Sequence, residues 1–564
     1  MINKKIMRKI TSLSMIALIS TTIAGCSGKG NDSTSKNSNS DDSYGAYESV
    51  VEVSLGRTTI QNPKMPAGDT YEDNAYSRYI EEKLNIDLTN AFEGNGEDYD
   101  RQVSLAVASG ELPDIMSVAG TDLLDELVEN DLVWDLTEVY EKYATDNIKK
   151  IYDSYEGRAL ETAMYDGKLM AIPGTSVDSA PAQVWIRQDW LDKLGLKIDE
   201  DGNGLIKLEE LEKVAKEFKA KDPGKSGNPV GIASNFWLTS NGYGASTNTM
   251  TAVANALGAY PKLWYKDASG KPVYGSNTPE MKQTLELLSN WFNDGILDPQ
   301  FGTRTWDDIT ALLTNGQLGV AFGPWHIPDW LLNSIYAMDK EAKLVSYAIE
   351  DANGKANVAH DNAASRYFVV SKECKNPEVL IKMVNILFDD LVNSKTLDTD
   401  SPELVEYNKM GVDGSVRPLN VEINSSTSLL DDYADVKKGV NDEISIDDAR
   451  TLESKIMIKS IKDYLANPKT DDASIWSRYH SRMKGLELID TLTRNNSFNW
   501  ISPIFVSNTE TMRSNGANLG KLEEETFIKI IIGDLKIDAF DKYVKTWSDQ
   551  GGLQITGEIE EAIK

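Results

Sequence analysis

The stretch DEDGNGLIKLEE, residues 199–210, dictates its own backbone path. Side-chain oxygens fall at its first, third and fifth positions (Asp199, Asp201, Asn203), a glycine at the sixth (Gly204), an aliphatic at the eighth (Ile206) and a glutamate at the twelfth (Glu210). A hard cation that takes six to eight oxygens needs a chain curled tightly around it, and glycine permits the curl by accepting positive φ. This is the spacing of an EF-hand calcium loop, in which Leu205 offers its carbonyl, Lys207 stands where a bridging water serves, and Glu210 binds through both oxygens. The competing reading is an acidic, glycine-rich turn ahead of a solvated helix. After the loop, LEELEKVAKEFKA places Leu208, Leu211, Val214, Ala215 and Phe218 on one helical face. A calcium sensor needs a paired loop and a groove to uncover, and no second match occurs in the sequence. The expectation is therefore one structural Ca2+, held permanently outside the cell, where even weak sites stay filled.

A chain of 564 residues is too long for a single core and implies two or more domains. Its 58 basic and 88 acidic residues give a net charge of -30, which repels phosphate backbones and excludes nucleic acid as a partner. Highly anionic ligands are disfavoured as well, unless a local basic pocket overrides the global field.

The amino terminus reads as an address. Lys4, Lys5, Arg8 and Lys9 precede the short apolar run ITSLSMIALISTTIAG, which ends at Cys26. A basic front and a short apolar run predict a signal peptide and not a membrane span. The segment resembles a bacterial lipoprotein signal, which implies cleavage after residue 25 and a diacylglycerol on the Cys26 thiol. Residues 26–47 are rich in Ser, Asn, Gly and Asp and bury too little apolar surface to order, so they read as a flexible tether. Cys374, the other cysteine, is then left as a small core residue. The expected location is the extracellular face of the bacterial cytoplasmic membrane, with the lipid as the sole attachment.

From Val50 onward strand-like runs alternate with helical ones: VVEVSL, NAYSRYIEEK, NIDLTNAF, YDRQVSLAVASG and DIMSV. The alternation predicts α/β architecture. There is no GxSxG elbow, GxxxxGK[ST] loop, HExxH or paired CxxC, and the three histidines, His326, His360 and His480, are scattered. The chain is expected not to be an enzyme.

The ordered set LAVASGELPDIM, YDGKLMAIPGT, VWIRQDWLDKLGL, WFNDGILDPQF and NGQLGVAFGPW resembles the family 1 extracellular solute-binding proteins, which deliver sugars to ABC importers. The likeness runs from about Val50 through Asp390. It implies a two-lobe periplasmic-binding-protein-like α/β fold around a central cleft, with hinge crossings near Ala171–Thr175 and Phe322–Trp325. Residues 48–172 plus 326–372 would form the first lobe, and 173–325 plus 373–564 the second. The implied partners are a carbohydrate ligand, with an oligosaccharide favoured by the long chain, and the permease subunits of the importer.

A sugar site needs flat aromatic faces and planar hydrogen-bonding groups. Trp185, Trp237, Trp306 and Trp325 lie near the implied crossings or in polar loops, Arg366 and Tyr367 just before a strand, and Asn235, Tyr243 and His326 add polar candidates. Trp264, Trp291 and Trp547 sit in amphipathic contexts and are assigned to core. Two other classes compete: an extracellular carbohydrate-active enzyme using the same aromatics, and a surface adhesion or signalling protein with an exposed apolar patch in place of a cleft.

Overall fold

The computed structural model describes residues 43–563 apart from 62, 177–181, 236–237, 239–246, 361 and 394–399. Cys26, Trp237 and Tyr243 lie outside the described residues.

Val53 and Leu55 point into one core from the strand Val51–Thr58. Its parallel neighbours, Ile86–Gly94 and Ile115–Val118, each follow one helix, Ala75–Leu84 and Gly96–Ser109, because parallel strands require a long crossover. Asn74 starts the first helix: its Oδ1 accepts from the N–H of Tyr76 at 3.0 Å and of Ser77 at 3.3 Å, while Ser77 Oγ accepts from the Asn74 N–H at 2.9 Å. Gly110, at φ +72°, ends the second. The sheet runs Ile86–Gly94, Val51–Thr58, Ile115–Val118, Ala364–Val370, Ile172–Thr175, and the strand Ala364–Val370 is antiparallel to both its neighbours.

A second sheet runs Val320–Gly323, Gln183–Arg187, Leu344–Ile349, Leu205–Ile206. The first three strands are antiparallel and the last pairs in parallel with Ala348 and Ile349. The architecture is the two-lobe, periplasmic-binding-protein-like α/β fold.

Burial shows which stretches belong together. One core takes its buried side chains from Tyr47–Ile172 and from Ala363–Ile423. The cores around the second sheet take theirs from Val184–Val358 and from Tyr433–Ile559. Trp264, Trp291 and Trp547 are buried there, and Cys374 is a free, buried thiol in the first core. The chain therefore passes between the cores after Ile172, after Val358 and after Ile423. Hydrogen bonds tie the three passages side by side: the Thr175 N–H donates to the Glu422 carbonyl (2.7 Å), the Asn424 N–H to Thr175 Oγ1 (2.8 Å), and the Ser176 N–H to the Ala363 carbonyl (3.0 Å).

This packing differs from the expected boundaries. Phe322–Trp325 is not a crossing. Phe322 and Gly323 pair with Val184 and Gln183, after which Ile327, Leu331, Leu332 and Ile335 pack against Trp185, Leu313 and Trp476 and hold the chain on the same side. Residues 326–358 thus stay with the second sheet. Residues 374–423 return to the first core, where Leu380, Val384, Phe388, Leu404 and Leu419 are buried.

Candidate functional site

A cavity of about 490 Å³ opens beside the three crossings. Thr175 and Ser176 line it from the first crossing and Glu422 and Asn424 from the third. The run Val421–Asn424 alternates: Val421 and Ile423 are buried in the first core, which turns Glu422 and Asn424 outward. The helix Ser428–Val440 presents Leu429, Asp432, Tyr433 and Val436, spaced three and four apart along one face, and the helix Leu452–Ala466 presents Glu453 and Met457 in the same way. Trp325 and Arg482 complete the wall with Leu486.

Trp325 forms the aromatic face. The Arg482 guanidinium lies 4.5 Å from its ring centroid, and Arg482 Nη1 donates to Asp329 Oδ2 at 2.9 Å. The Trp325 Nε1 donor is buried with no partner among the described residues. Asp432 pairs with Arg450 at 2.9 Å; partial desolvation of its carboxyl, not fully offset by Arg450, pushes its pKa up to about 6.

Among the described residues, Trp325 is thus the one expected aromatic in the lining. His326 is buried next to it, its ring meeting the Trp325 ring edge-on at 5.0 Å. From His326 a row of rings continues through Trp330 at 5.5 Å to Trp306, which stacks on Trp330 at 5.0 Å and 6°. Trp306 is therefore connected to the cavity and does not line it. Trp185 is corrected to a core residue: 1% exposed, it packs under Gly485. Tyr367 is likewise core, opposite Val118 and Pro173 in the first sheet. Arg366 faces Asp100 at 3.0 Å and the Tyr99 ring at 5.4 Å, away from the cavity lining. Asn235 is buried and donates from Nδ2 to the Thr247 carbonyl at 3.0 Å. Sequence reading missed Glu422, Asn424, Asp432, Glu453 and Arg482. Only the alternating VEIN run carried a local signal; the helical residues look like any solvated face.

The loop 199–210 joins the helices Gln188–Leu194 and Leu208–Lys221 at the edge of the second sheet. Gly204 takes φ +84°, as the curl requires. Asp199 Oδ1 and Oδ2 accept from the N–H groups of Asn203 and Gly204, each at 3.0 Å, and Asn203 Oδ1 accepts from Leu205 at 2.8 Å. Glu210 closes the loop, accepting from the N–H of Asp199 at 3.2 Å and of Lys207 at 2.9 Å. Burial, with a smaller contribution from the nearby Glu210 charge, raises the Asp199 carboxyl above its usual range. Among the described residues no group of three or more His, Cys, Asp or Glu forms a metal-binding cluster, so any ion here would depend on Asn203 and the Leu205 carbonyl as well.

A family model for bacterial extracellular solute-binding proteins matches residues 62–390. This chain belongs to that family. Among its relatives, the polygalacturonan/rhamnogalacturonan-binding protein YtcQ of Bacillus subtilis (strain 168) is 27% identical over 501 residues, 86% of this chain and 87% of YtcQ. The fructooligosaccharide ABC transporter substrate-binding protein FusA of Streptococcus pneumoniae is 24% identical over 322 residues, 55% of this chain and 56% of FusA. A solved structure of the FusA EF-hand mutant in complex with fructo-nystose has a TM-score of 0.54 at 17% identity, covering 91% of this chain and 98% of that one. The alginate-binding protein AlgQ2, solved without calcium ion, has a TM-score of 0.56 at 16% identity, covering 92% of this chain and 98% of AlgQ2. These solute-binding proteins share the fold described above, and the family's members are binding proteins that serve transport.

Proposed function

We propose that this protein is the lipid-anchored substrate-binding component of an ABC importer, capturing an oligosaccharide in the cavity beside the hinge without chemically altering it. One observation carries the reading: an aromatic face, Trp325, stands in the same 490 Å³ space as the polar side chains Thr175, Ser176, Glu422, Asn424 and Asp432. Sugars present an apolar ring face and a belt of hydroxyls, and this wall offers a partner for each. The names of YtcQ and FusA, both oligo- or polysaccharide binders, support the same class. The site would be presented to permease subunits from a chain held at the extracellular membrane face through Cys26. A relative named as a lipoprotein, LipO of Bacillus subtilis, supports that attachment.

Calcium would be a structural ion in the loop 199–210, held by Asp199, Asp201, Asn203, the Leu205 carbonyl and Glu210, with a water bridging near Lys207. It supplies charge compensation to the loop and takes no part in ligand capture. At a free concentration tenfold above its dissociation constant it would add about 1.4 kcal/mol of stability.

A thermal-shift screen against a glycan panel tests the capture reading, and a raised Tm with unchanged glycan chain length after incubation is the expected result. Released reducing ends would point to an enzyme instead. For calcium, chelation is expected to lower Tm in the wild-type protein and to leave Asp199→Ala unmoved. Equal insensitivity of both would remove the ion from this account.

A further inference from the structure

The charge of the cavity wall narrows the ligand class, granted that the carbohydrate reading above holds. Among the described residues, three carboxylates line the cavity, Glu422, Asp432 and Glu453, against one cation, Arg482. That cation is already engaged. It donates to Asp329 at 2.9 Å, pairs with Glu453 at 3.5 Å and lies against the Trp325 ring. An incoming carboxylate would meet a cation whose charge Asp329 and Glu453 already balance.

The other two carboxylates are held from outside the cavity. Arg417 pairs with Glu422 at 2.5 Å and Arg450 with Asp432 at 2.9 Å, and neither arginine is among the lining residues. Anchored carboxylates are strong acceptors for hydroxyl donors. Toward a second carboxylate they offer no donor, only repulsion. The net charge of -30 adds to that repulsion at long range.

We propose that this cavity selects glycans bearing hydroxyls and no acidic groups, with Glu422, Asp432 and Glu453 serving as hydroxyl acceptors and as the barrier to uronates. The protein would thus part company with relatives named for polygalacturonan or alginate, whose ligands are polyanions.

The test is calorimetric titration of the purified protein, in buffer of low ionic strength, against two length-matched panels: neutral fructo-, gluco- and xylo-oligosaccharides, and oligogalacturonates with oligomannuronates. Binding is expected in the neutral panel, with every uronate weaker by ~100-fold or more, the scale of one close like-charge contact in a partly solvated site. Asp432→Asn is expected to weaken the best neutral ligand ~10-fold, as for loss of a charged acceptor. Asp431→Asn, exposed one residue away, should leave it unchanged. A uronate that binds as tightly as the best neutral glycan overturns the inference and leaves the carbohydrate reading intact. Silence in both panels overturns the carbohydrate reading and the inference with it. An Asp432→Asn protein that binds like wild type removes Asp432 from the acceptor set, and the panel comparison on the unaltered protein stands independently of any folding defect.

Discussion

The Arg482 guanidinium sits 4.5 Å from the centroid of the Trp325 ring, joining a π-helical turn, Tyr479–Gly485, to the segment that follows the strand Val320–Gly323. The contact orients the indole at the cavity while leaving the charge satisfied by Asp329 and Glu453. Removing the ring should therefore remove binding surface directly. Trp325→Ala is expected to weaken glycan affinity ~30-fold, about 2 kcal/mol of lost stacking and apolar burial. Trp330→Ala, whose ring is 42% exposed and does not line the cavity, should stay within about twofold. Titration of both variants with one glycan decides it, and equal losses would mean that the ligand runs along the aromatic row instead.

Gly485 is a packing constraint beside that contact. A Cβ there would lie 2.6 Å from the Trp325 carbonyl and 3.2 Å from the Trp185 ring. The Gly485 carbonyl also accepts from buried Gln183 Nε2 at 3.0 Å. Gly485→Ala is expected to destabilise the protein by about 1–3 kcal/mol, the range of overpacked cores. Chemical denaturation of wild type and variant measures it; an unchanged midpoint would show that the turn yields without cost.

His326 gives a pH signature. Burial, aided by the Arg482 charge, holds its pKa down to about 4 against an ordinary value of 6.5. Below about pH 6.5 the unfolded chain takes up a proton that the folded protein refuses, so this residue's share of stability is full above that pH and is lost as pH falls toward 4. At pH 5 the loss is about 2 kcal/mol. Relative to His326→Phe, wild type should therefore lose about that much between pH 7 and pH 5. Parallel pH dependences for the two proteins would show that the imidazole charges in place.

Asp122 and Arg513 bridge the two cores at 2.9 Å, and Asn508 Nδ2 adds a hydrogen bond to the same carboxylate at 3.0 Å. Asp122 lies in the first turn of the helix Thr121–Glu129, which packs in the first core, and Arg513 in the first turn of the helix Glu510–Ile531, which packs in the second. An exposed pair is worth up to about 1 kcal/mol, so Asp122→Ala should shift the ligand-free protein toward open forms by up to ~5-fold and weaken glycan binding by a similar factor. Small-angle scattering of the ligand-free protein, expected to report a larger radius of gyration for the variant, checks the cause. Weaker binding at an unchanged radius would place the effect elsewhere.

Local patterns are legible in the sequence. The strand and helix runs of the first core, the buried face Leu211, Val214, Ala215 and Phe218, and the curl at Gly204 all follow from period, capping and glycine placement, which act over a few neighbouring residues. Trp325 stands out in the sequence as a candidate because it follows a glycine and a proline, and it lines the cavity. Trp185 and Tyr367 were not legible as core, since a large amphipathic ring looks alike in sequence whether it meets a ligand or a neighbouring strand.

The sequence by itself determined the α/β class, the net negative charge and the tight curl at Gly204, because each is set by composition or by contacts a few residues apart. Only the tertiary structure decided where the chain crosses between lobes and which carboxylates share a cavity with Trp325. Glu422, Asp432, Glu453 and Arg482 come from a segment that first completes the core of one lobe and then returns to the other. Their convergence depends on long-range packing of buried faces, for which no spacing along the chain is a substitute.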